Sequence, residues 1–137
     1  MCLRIKEVLY EEGIKMREEI NTIEENQTEK NLRELCIKVK KCCRRHDYKT
    51  GEKIVINAMG QYPDAAQPHN LYGVLLEKTG QHTAAMRHFR AALALNPSYR
   101  PANYNLEQYG QMKVGGRKCQ YGDEWVAPVK NAFCLHS

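Results

Sequence analysis

A chain of 137 residues suits one compact domain and leaves little room for two. With 42% hydrophobic and 27% charged residues it reads as a folded, water-soluble protein rather than a disordered one. No apolar run approaches the roughly 18 residues needed to span a bilayer, and the +5 net charge is uneven: −3 over residues 1–31, +4 over 32–65, and +2 over each of 66–99 and 100–137.

The first segment, "MCLRIKEVLYEEGIK", carries acids inside its apolar stretch and no small-residue cleavage site, so it does not read as a signal peptide. A cytoplasmic protein with six reduced cysteines is the expectation. Ile5, Leu9, Met16, Ile20 and Ile23 step at helical intervals and predict an amphipathic helix, with Gly13 lowering its propensity by about 1 kcal/mol. Asn26-Gln27-Thr28 predicts a loop, and Thr28 the N-cap of the next helix. Residues 1–31 thus form a helix and loop that either cap the helices that follow or pair with a second copy.

In residues 32–65, Leu35, Val39 and Cys42 take one buried face and leave the bases of "KVKKCCRR" (38–45) spread around the rest. In residues 66–99, His69, Tyr72, Gly73 and Leu76 share a face of a helix ending at Gly80. Ala85, Phe89, Ala92 and Leu93 then recur at i, i+4, i+7 and i+8 of another. Asn96 suits a left-handed C-terminal position, and Pro97 stops the helix. Pro63 and Pro97 lie 34 residues apart, and the same interval pairs Cys42 with Leu76, Tyr48 with His82, Gly51 with Ala85, Val55 with Phe89, Ala58 with Ala92 and Met59 with Leu93. Small meets small and bulky meets bulky, so the unit is helix, tight turn, helix, proline. "RPANYNLEQYGQM" (100–112) predicts a further first helix, with Ala102, Leu106 and Tyr109 on one face and Val114-Gly115-Gly116 ending it. The tail, 114–137, has no helical period and holds Tyr121, Trp125 and Phe133; it either folds back over the exposed end of the last helix or is flexible.

Gly73, Leu76, Gly80, Ala85, Phe89, Ala92 and Pro97 stand at the spacing of the tetratricopeptide repeat family, which the chain resembles over roughly 32–113. The units are 32–65, 66–99 and a partial 100–113. His69 and Tyr72 depart from the family's pattern in the second unit, and Lys38, Val39 and Gly51 in the first. The resemblance implies an all-α fold, a short right-handed solenoid of antiparallel helix pairs, whose concave groove binds a partner protein and carries no chemistry of its own. Carried over residue by residue, the groove consists of Arg33, Cys36, Lys40, Cys43 and Arg44, then Gln67, Asn70, Val74, Glu77 and Lys78, then Tyr104, Gln108, Gln111 and Met112. Basic at one end and amide or apolar at the other, it suits a peptide or helix with an acidic part and an apolar part. Cys36, Lys40 and Pro101 depart from the subclass of the family that grips a C-terminal carboxylate.

The residues themselves offer other chemistries. Cys42, Cys43 and His46 with Cys119, Cys134 and His136 could hold zinc, but no C-x-x-C pair exists and a core role for Cys42 is the simpler reading. Cys43 and His46 could pair as nucleophile and base, yet nothing builds an oxyanion site, and "VGGRK" is not a phosphate loop. Neither an enzyme nor a cofactor is expected. The 38–45 run leaves a nucleic-acid-associated regulator as the alternative, although no aromatic is interleaved in it.

Overall fold

The structure, a computed structural model, describes residues 2–111 and 118–123, with side chains in those ranges from Lys15 onward. The described residues are helical and contain no strand: α1 (Cys2–Arg44), α2 (Tyr48–Gln61), α3 (Ala66–Lys78), α4 (His82–Leu95) and α5 (Arg100–Gly110). No helix among them is long and apolar enough to cross a membrane. The chain divides into two compact units, residues 1–31 and 32–137.

The first unit corrects one expectation. No loop interrupts Asn26-Gln27-Thr28, and Thr28 caps nothing, because α1 continues through all three. The physical reason is the company they keep: Glu24, Glu25, Gln27, Glu29 and Lys30 are good helix formers, and neither Gly nor Pro breaks the stretch. Asn31 is tied back one turn, its Oδ1 accepting from Gln27 Nε2 at 2.9 Å. Met16, Ile20 and Ile23 share the helical stripe and are all exposed, at 63, 50 and 66%.

In the second unit, His46, in the left-handed region at φ 57°, turns the chain between α1 and α2. Asp47 caps α2 by accepting from the Thr50 N–H at 3.3 Å. Helix α3 ends at Lys78 with Thr79 as its C-cap, and Gly80 adopts φ +83°. Asn96, by contrast, is extended (φ −141°) rather than left-handed. Its side chain accepts from the Ser98 N–H at 3.0 Å and leads the chain directly into α5. That last helix stops earlier than expected, at Gly110 with Gln111 extended; Val114–Gly116 lie outside the described residues.

Helix bounds recur along the chain: α4 begins and ends 34 residues after α2, and α5 begins 34 residues after α3. Gly51 and Ala85, Val55 and Phe89, and Ala58 and Ala92, each 34 apart, are all buried. Successive helices pack, α2 on α3, α3 on α4 and α4 on α5, with α3 also touching α5. Phe89, fully buried, is the centre of the core. Its ring stacks on Tyr109 with centroids 5.9 Å apart and lies so close to Gly73 that a Cβ there would fall 2.5 Å from Phe89 Cε1. Glycine is what lets α3 approach α4 this closely. A smaller cluster of Ala66, Ala92 and Ala102, flanked by Leu93 and Tyr99, joins the opposite ends of these helices.

Candidate functional site

Three helices turn one face each toward the same short stretch of chain. The second half of α1 presents Cys36, Lys40 and Cys43; α3 presents Asn70; α5 presents Asn105. Lys118–Asp123, without helical or strand structure, lies against them. The periodicity that buries these residues also explains their convergence. Leu32, Leu35, Cys36, Val39 and Cys43 form one stripe of α1, and Leu71, Val74 and Leu75 anchor α3 beside it.

Two asparagines hold the segment by its backbone. Asn105 Oδ1 accepts from the Gln120 N–H at 2.7 Å, and Asn105 Nδ2 donates to the Gln120 carbonyl at 2.7 Å. Asn70 Nδ2 donates to that same carbonyl at 3.0 Å, while its Oδ1 accepts the second Asn105 N–H at 2.8 Å. Both asparagines are 0% exposed. Burying an amide without partners costs on the order of 1–3 kcal/mol, so this closed set is what makes two buried asparagines tolerable.

The next three residues are read by side chains. Tyr121 enters the main core cluster, and its hydroxyl is shared between the Cys119 and Cys43 sulfurs. Burial, followed by those hydrogen bonds, pushes the phenol far above its ordinary range, so it stays protonated. Burial likewise raises the Cys43 thiol, opposed in part by the Tyr121 hydrogen bond. Gly122 sits at φ +104°, where a Cβ would overlap the Tyr99 hydroxyl and reach 3.2 Å from Cys36 Sγ. Asp123 Oδ2 accepts from Lys40 Nζ at 2.9 Å, and the same ammonium lies 5.7 Å from the Tyr121 ring centroid. Lys40 and Asp123 side chains are only 20 and 17% exposed.

These positions amend the residue set read from the sequence. Cys36, Lys40, Cys43 and Asn70 are brought together, but around the chain's own segment rather than an open face. Cys36, Cys43, Asn70 and Val74 are buried, because the stretch 118–123 and the core cover them. Residues 118–123 of the tail therefore lie against α1 and α3 as well as α5. Tyr104, Gln108, Gln67 and Glu77 are half-buried, Arg33, Arg44, Lys78 and Gln111 exposed, and Met112 lies outside the described residues. Cys42, expected in the core, is half-buried, and Cys43 next to it takes the deeper place. Asn105 was missed: carried over by family spacing, the position chosen on α5 is Tyr104. An asparagine between apolar i−3 and i+4 neighbours, Ala102 and Tyr109, was the available signal.

The four cysteines with described side chains, Cys36, Cys42, Cys43 and Cys119, are free thiols. Among the described residues no three His, Cys, Asp or Glu side chains gather as a metal site; Cys134 and His136, which the zinc alternative needed, lie outside them, as do Trp125 and Phe133. No family model, curated protein or solved structure matches this chain.

Proposed function

We propose that residues 32–113 form a short right-handed solenoid of the tetratricopeptide type. Its groove, lined by the second half of α1 with α3 and α5, holds an extended segment of a partner protein and performs no chemistry. The 34-residue recurrence of helix bounds and of buried pairs supports the repeat reading. One observation carries the functional reading: buried asparagines on two helices, bonded to each other, bind the backbone of a non-helical segment. Main-chain recognition with pockets for neighbouring side chains is how extended peptides are gripped.

The test is kinetic, on a partner captured from source lysate. Lys40→Glu slows association with an acidic partner at low salt, because charge acts on encounter. Tyr104→Ala speeds dissociation, because a lost packed aromatic acts on the bound state. Arg90, exposed on α4, is the control; if Arg90→Glu impairs binding as much as the other two, the groove is not the site. A second reading rests on Lys38, Lys41, Arg44 and Arg45, which are all exposed on or just after α1 and are free to meet phosphates. A steep fall of nucleic-acid affinity with salt, on a log–log scale, would favour that reading.

A further inference from the structure

The geometry points to Lys118–Asp123 as a built-in competitor for the groove, and to a partner segment that carries the same order: an aromatic residue, then glycine, then an acidic residue. The inference rests on the groove reading above and supplies the partner's chemistry.

Each element of that order has a separate physical cause. The clamp of Asn70 and Asn105 touches only the backbone of Gln120, so the residue before the aromatic is free to vary. The aromatic position is specific for tyrosine. Tyr121 is 8% exposed in the core cluster, and its hydroxyl is taken up by the groove's Cys43 together with Cys119 of the segment itself, so the order the groove reads includes a cysteine two residues before the tyrosine. The third position is limited to glycine twice over, by its positive φ and by the Tyr99 hydroxyl and Cys36 sulfur that a Cβ would meet. The fourth is acidic because Lys40 faces it, part-buried, at 2.9 Å. One cation serves two positions, since it also lies over the tyrosine ring.

The competitor role follows from where the contacts fall. Lys118–Asp123 uses the buried amides and Lys40, the cation that faces the acidic position, so the two cannot occupy the groove together. The tethered segment holds the advantage of high effective concentration. A free peptide therefore meets a groove that is competent only in the fraction of molecules whose own segment has left, and its apparent affinity falls by that fraction.

The experiment uses the full chain and a fluorescein-labelled peptide of sequence KCQYGD, read by anisotropy under reducing conditions. Gly122→Ala expels the tethered segment without touching the groove. Faster alkylation of Cys36 and Cys43 reports that expulsion, and unchanged alkylation would overturn the glycine requirement. The peptide is expected to bind the Gly122→Ala chain roughly tenfold or more tighter than the wild type. Placing lysine at the last peptide position should abolish binding, and Lys40→Glu in the Gly122→Ala background should restore it. That charge swap keeps the claim testable without Asn105→Ala, which removes core hydrogen bonds. Equal affinity for the two chains would overturn the competition and leave the groove as a peptide site. Failure of the peptide to bind a folded, opened Gly122→Ala chain would overturn the motif, while the captured partner's response to Lys40 and Tyr104 changes still decides the groove reading.

Discussion

Met16, Ile20 and Ile23 in the first unit and Ala85, Phe89 and Ala92 in the second follow the same rule of spacing, one apolar residue every three or four. The first three are half or more exposed, while the second three are completely buried. Periodicity thus assigns a face to a helix and says nothing about whether that face is covered. Coverage in the second unit comes from neighbours that approach closely, Gly73 above all, and apolar area removed from water stabilises by about 25 cal/mol per Å². The exposed stripe gains none of this.

That contrast can be broken by substitution, and the largest effect belongs to Phe89. Phe89→Ala is expected to lose about 3–5 kcal/mol in chemical denaturation, the range for deleting a buried aromatic. With total stabilities of order 5–15 kcal/mol, that brings the second unit close to unfolding. An unchanged denaturation midpoint would mean that the stacked Phe89–Tyr109 arrangement is wrong.

Next comes Gly73→Ala, with an expected loss of about 1–3 kcal/mol from overpacking. The new methyl would meet the Phe89 ring edge, flanked by Leu71, Val74 and Leu75 on the same helix, and has little room to relax. Asn105→Ala falls in a similar range, about 1–3 kcal/mol, because it strands the Gln120 N–H and the Asn70 carbonyl. These two losses separate by a second measurement. Only Asn105→Ala should speed alkylation of Cys43, since it alone loosens the covering segment.

A smaller effect is a slope with pH. His69 and His88 stack between α3 and α4 with Nδ1 atoms 3.3 Å apart, the Tyr72 ring edge-on to His88 and the Tyr72 hydroxyl donating to Glu52 at 3.0 Å. Burial lowers both imidazoles from 6.5, and the neighbouring His69 charge lowers His88 further. In the fold they stay neutral while the unfolded chain takes up protons near pH 6.5. Their contribution is therefore complete above that pH and is lost as pH falls through the lowered folded values. Thermal melts should decline from about pH 7 toward pH 5, and His88→Gln should flatten the decline; an unchanged slope would show that the pair does not titrate as a unit with the fold.

The smallest expected effect sharpens the comparison from its other side. Ile23→Ser should change stability by no more than about 0.5 kcal/mol, as for surface positions elsewhere. A loss comparable to Gly73→Ala would show that the stripe is covered in solution.

Helices α2 to α5, their 34-residue recurrence and the burial of Val55, Ala58, Ala85, Phe89 and Ala92 were determined by the order of residues alone. Spacing, capping and proline placement are local properties that a neighbour seldom reverses in a long periodic helix. The failures share a cause. At 26–28 weak turn residues lost to helix formers on both sides, and at Asn96 the side chain bonded forward to Ser98 instead of the backbone turning left-handed. The tail carried no period at all, so nothing local revealed that Gln120 would meet Asn70 and Asn105, or that Asp123 would find Lys40, 83 residues away along the chain. Only the tertiary structure could decide that, because a segment without helical period acquires its place from the amides, sulfurs and charges of helices it does not belong to, and not from its own sequence.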